Sequence, residues 1–76
     1  MSFLLYQIRK GGRNLVGKKI KKIRETKGIR KAELARRSGV NKATLGFIEN
    51  HKTTPTLRTL QKIAKGLEVD VIDLLQ

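Results

Sequence analysis

Covalent chemistry has little to work with in this chain of 76 residues. It holds no cysteine and one histidine, His51, so neither a thiolate metal site nor a zinc site of the usual kind is within reach. Ser38, His51 and the aspartates show no spacing that suggests a nucleophile, its base and an orienting group. No Gly-rich phosphate loop precedes a helix, and Gly11-Gly12 alone is too weak a signal to count as one. An enzyme, a metal and a cofactor are therefore not expected, and His51 is read as a turn residue touching solvent. The pattern that does suggest chemistry is Lys42, Ala43, Gly46 and Phe47, a stripe at helical spacing opposite Leu45 and Ile48. One cation, small residues and an aromatic make a surface for recognition rather than for bond breaking.

The stretch that must position this stripe runs from Ile29 to Asn50 and reads as helix, tight turn, helix. Ala32, Leu34 and Ala35 are expected to form the inward side of the first helix. Ser38-Gly39 ends it, glycine being able to take the left-handed conformation of such a turn, and Val40 plugs the corner. Asn41 is expected to cap the second helix by accepting a bond from a backbone N–H near Thr44. Two helices joined by a turn of roughly three or four residues, the second presented outward, match the geometry that enters a DNA major groove.

Charge points the same way. Lys and Arg total 18 against 6 acidic residues, a formal net charge of +12, and the pI is near 10.9. Attraction to polyanions follows, nucleic acid ahead of anionic membrane, with a merely solvated basic surface as the competing reading. The length allows one domain whose core is marginal unless its helices pack well or the chain associates, so a homodimer is expected. No apolar run reaches the roughly 18 residues of a membrane span. Residues 3–8, FLLYQI, are too short for a secretory signal and have no charged segment ahead of them. The expected location is the cytoplasm, with no membrane partner.

Residues 1–14 differ in kind from the rest and are set apart as an N-terminal extension, leaving 15–76 as the domain. A disordered extension, a strand or arm pairing with a partner subunit, and an arm carrying Arg9, Lys10 and Arg13 to DNA all remain open for it. From Leu15 to Lys27 the pattern is helical, with Val16, Ile20 and Ile23 on one face and Lys18, Lys19, Lys21 and Lys22 mostly on the other. Asn14 and Gly28 are its candidate caps. Pro55 and Thr56 open a further helix, capped by Thr56, with Leu57, Leu60, Ile63, Ala64 and Leu67 inward and an end near Gly66. Asp70 and Asp73 then resemble a capping box for a last short helix.

Through KKIRETKGI, AELARRSGV, KATLGFIENHKTTPTLRTLQKIAKGL and VDVIDLL, in that order, the chain from about Val16 to Leu75 resembles the lambda-repressor and Cro-like (Xre-type) helix-turn-helix family. The resemblance implies an all-α fold, a compact bundle of five short helices, and a sequence-specific regulator that binds double-stranded DNA, expected to be a repressor. It implies that Arg24 pairs with Glu49, and that base contacts come from Lys42, Ala43, Thr44 and Phe47. Lysine can donate to guanine O6 and N7, and Ala43 and Phe47 can touch thymine methyls. Phosphate contacts would come from Arg30, Lys31, Asn41, Asn50, Lys52, Thr53 and Thr54. His51 stands where the family usually has a left-handed glycine, and Glu68 also replaces a common glycine. Val71, Ile72 and Leu75 carry more apolar surface than one small core absorbs and are the expected dimer contact. The alternative is an antitoxin-type interaction protein, docking on a partner protein through its N-terminal segment, with DNA binding secondary.

Overall fold

The computed structural model describes residues 15–75. The extension 1–14, with Arg9, Lys10, Arg13 and the Asn14 cap, lies outside the described residues. Five helices follow one another: α1 Leu15–Thr26, α2 Lys31–Ser38, α3 Lys42–Glu49, α4 Leu57–Leu67 and α5 Val71–Leu75. No strand occurs among the described residues.

Apolar periodicity builds the core. Ile20 of α1, Leu34 of α2, Leu45 and Ile48 of α3, Leu60, Ile63 and Leu67 of α4 and Leu74 of α5 are all buried. They close into one cluster with Val16, Ile29, Val40 and Ala64, each helix turning one stripe inward. Helix α2 packs on both α3 and α4, and α1 lies against α3 and α5. The lysines at 18, 21 and 22 are exposed and Lys19 is half-buried.

Two expected core positions are not in the core. Ala32 is exposed because it lies two residues from Leu34, about 200° around the helix. Leu57 shares the α4 stripe by period, yet it is the first residue of that helix and is 55 % exposed.

Each helix from α1 to α4 stops in a left-handed residue, and the hydrogen bonds show why. At the end of α1, Gly28 N–H donates to Glu25 O and Ile29 N–H to Arg24 O, both at 3.0 Å, the paired bonds of a Schellman turn. Gly39, at φ 75°, donates to Ala35 O and ends α2. His51 and Glu68, both at φ 61°, make the corresponding turns after α3 and α4 with side chains that favour this region far less than glycine does. Helix α4 therefore runs through Gly66 to Leu67 rather than ending at Gly66. Leu67 is fully buried and must stay helical. The turn at Glu68 then brings Val69 N–H to Ala64 O at 3.0 Å and Val69 against the core.

Side chains cap the starts of α3, α4 and α5, while α2 begins after Arg30 without a side-chain cap. Thr56 Oγ1 accepts from Thr59 N–H at 3.1 Å. Asp73 accepts from Asp70 N–H at 3.1 Å, one arm of a capping box.

Candidate nucleic-acid interface

The outward helix is α3. Asn41 Oδ1 accepts from Ala43 N–H at 2.7 Å, the backbone N–H next to Thr44, and so caps α3 as expected. Leu45, Ile48 and Glu49 are buried. On the other side Lys42 and Ala43 are exposed and Phe47 is 52 % exposed, so Phe47 does not fold back into the core. Thr44 is half-buried, at the margin between the two faces.

Beyond the shared core, an ion pair and a close backbone approach join α3 to α1. The Arg24 guanidinium grips Glu49 in a fork, Nε to Oε2 at 2.8 Å and Nη2 to Oε1 at 3.0 Å. Its Nη1 donates to Ile29 O at 2.9 Å. Both residues are buried, at 8 % and 5 % exposure, and the hydrogen bond to Glu49 raises the Arg24 pKa against the opposing effect of burial. With five donors in a planar array, arginine suits this duty as lysine would not. The second contact is Gly17, where an added Cβ would stand 2.0 Å from Ile48 O. Sequence reasoning missed Gly17. The signal available was a glycine inside a strong helical pattern with no turn residue beside it.

The remaining candidate residues lie on the flanking loops, on α2 and on α5. Asn50, Lys52, Thr53 and Thr54 are exposed in the loop that continues from its end. Arg30 and Asn41 are exposed and Lys31, the first residue of α2, is half-buried. Val71 and Leu75 are half-buried and Ile72 is 55 % exposed.

Carboxylates are kept off this surface. Between Leu34 and Leu67 the sequence has one acidic residue, Glu49, and it is engaged by Arg24. Glu33, on α2, bonds Arg37 Nε at 2.8 Å and also Arg36. Hydrogen bonds from Arg37 and then Arg36 hold its carboxyl below the usual range. An anionic rod approaching α3 and its following loop therefore meets Lys42 and Lys52 with no exposed carboxylate on those segments.

Comparison with known proteins meets the same arrangement. The helix-turn-helix family profile matches residues 20–74. The HTH-type transcriptional regulator SutR of Escherichia coli is 46 % identical over 50 residues, covering 66 % of this chain and 28 % of SutR. The HTH-type transcriptional regulator SinR of Bacillus subtilis is 40 % identical over 62 residues, covering 80 % of this chain and 56 % of SinR. The chain thus spans about a quarter to a half of the length of these relatives. A crystal structure of an HTH_3 family transcriptional regulator from Vibrio cholerae superposes with a TM-score of 0.76 at 37 % identity, over 78 % of this chain and 33 % of that one. Five helices in this order, and a family match that spans α2, α3 and α4 whole and most of α1 and α5, leave one assignment: the chain belongs to the helix-turn-helix family.

Proposed function

We propose that this chain is a sequence-specific double-stranded DNA-binding transcriptional regulator, a repressor, that reads the major groove with α3. The observation that carries this reading is the division of α3 into a buried side and an outward side. Leu45, Ile48 and Glu49 are buried, while Lys42, Ala43 and Phe47 face solvent. Lys42 donates to guanine O6 or N7, Ala43 and Phe47 meet thymine methyls, and Thr44 reaches in from the margin. With so few hydrogen-bonding groups, much of the selectivity comes from thymine-methyl contact and DNA shape. Arg30, Lys31, Asn41, Asn50, Lys52, Thr53 and Thr54 hold the phosphates and set the register.

The chain works as a symmetric dimer through Val71, Ile72 and Leu75. Two copies of α3 then lie about 34 Å apart, one turn of DNA, on a pseudo-palindromic site. The names of SutR and SinR as transcriptional regulators support the regulatory role.

The test is selection of bound duplexes from a randomised pool at about 0.15 M salt, where non-specific phosphate attraction is weakened and specific complexes persist. Recovery of an inverted repeat is the expected result. A pool that shows no enrichment would mean that the charge binds without reading, and the proposal would fall.

A further inference from the structure

Three glycines lie inside the described helices, Gly17 in α1, Gly46 in α3 and Gly66 in α4. Two have an internal reason to be there. A Cβ at Gly17 would stand 2.0 Å from Ile48 O, and one at Gly66 would stand 3.0 Å from Leu34 Cδ1 and 3.1 Å from Ser38 Cβ. Gly46 has no such reason. A Cβ there would meet nothing within 4 Å, and its backbone is not among the positive-φ glycines. Glycine in a helix interior is a poor helix former beside alanine. The free domain would be better served by a side chain at this position, so the cause of its absence lies outside the chain.

The neighbours of Gly46 say where. It is one turn on from Lys42, three residues from Ala43 and adjacent to Phe47, all exposed. One turn further lies Asn50, whose N–H donates to Gly46 O at 3.0 Å. The bare backbone, itself half-buried, is thus flanked by the exposed side chains of the outward face of α3.

We infer that Gly46 is a specificity-determining position, where a missing side chain lets α3 settle against double-stranded DNA more closely than any other residue permits. The inference rests on the proposed reading of DNA by α3. Base-edge hydrogen bonds and methyl contacts weaken within a few tenths of an ångström. Attraction to phosphates acts over a screening length of about 8 Å at physiological salt. A methyl group at position 46 that holds the helix away from the groove floor removes reading and leaves attraction in place.

The experiment compares wild type, Gly46→Ala and Gly46→Leu in thermal melting. It also measures their binding to the duplex selected by wild type and to a scrambled duplex of equal length. Both variants are expected to melt at or above the wild-type midpoint. Gly46→Ala should lose affinity for the selected duplex about tenfold or more, the size of one lost base-pair contact, and Gly46→Leu should lose more. Affinity for the scrambled duplex should stay within about twofold, since the phosphate contacts that govern it are retained. Unchanged affinity for the selected duplex, or an equal loss on both duplexes, overturns the inference. A lowered melting midpoint for Gly46→Ala does so too, by showing an internal need for glycine. If wild type selects no duplex, the DNA-reading role fails and this inference with it. A wild type that selects a site and a Gly46→Ala that binds it equally well removes the inference alone.

Discussion

Gly17 of α1 sits so close to Ile48 of α3 that a single added carbon would come within 2.0 Å of the Ile48 carbonyl oxygen. The obstacle is backbone on both sides, so no rotamer change relieves it. Gly17→Ala is expected to cost about 3 kcal/mol or more, the upper end for overpacking, with α1 and α3 forced apart. Chemical denaturation of the variant checks this. A loss below 1 kcal/mol would show that the two helices slide past one another cheaply.

The fork between Arg24 and Glu49 makes a paired prediction. Glu49→Ala strands a buried guanidinium and should cost about 3–5 kcal/mol, whereas replacing both partners, as in Arg24→Met with Glu49→Leu, should recover most of that loss. Ile29 O, which also accepts from Arg24, would lose that bond in the double variant, so recovery should stop short of wild type. A double-mutant cycle in denaturant measures both. An unmoved melting midpoint for Glu49→Ala would mean that the pair contributes nothing to stability.

Phe47 and Lys52 should separate reading from holding. Phe47→Ala removes a side chain that is half in solvent, so stability should move by less than about 0.5 kcal/mol, while affinity for the selected duplex falls about tenfold, one base-pair contact. Lys52→Ala should instead flatten the slope of log affinity against log salt by about 0.9 and leave sequence preference alone. Titrations at several salt concentrations distinguish the two. Equal effects of both variants on the salt slope would count against the division of roles.

Glu33 gives the pH dependence. Its carboxyl is held below the ordinary range by Arg37 and Arg36, so its contribution to stability is present in full above the unfolded value of about 4.3. That contribution is lost as pH falls through the lower folded value. The difference in stability between wild type and Glu33→Gln should accordingly be flat at neutral pH and shrink below about pH 4.3. Both arginines are exposed, so the difference should also diminish with added salt. Denaturation of the two proteins between pH 3 and 7 reads it.

Much of the fold is legible in the chain because period and cap chemistry agree. Leu60, Ile63, Ala64 and Leu67 state a helical face, Thr56 its start, and Gly28 and Gly39 two of its neighbours' ends. What resists reading depends on partners distant in sequence. Gly17 is explained by a carbonyl 31 positions further along the sequence, which no local pattern contains. Glu68 takes a glycine's conformation because Leu67 and Val69 are wanted in the core, so packing overrides the local preference of the residue. For the candidate site, the outward face of α3 can be read from spacing, whereas the fork of Arg24 and Glu49 enters through family resemblance. The DNA roles proposed for individual residues rest on that resemblance too.

Helix α3 keeps its two duties on separate faces, with Leu45, Ile48 and Glu49 turned to the domain and Lys42, Ala43, Gly46 and Phe47 turned away from it. A change on the outer face leaves the scaffold almost untouched. Substitutions can therefore accumulate on that face one at a time, each intermediate still a folded protein, and the surface can be rewritten without rebuilding the domain that carries it.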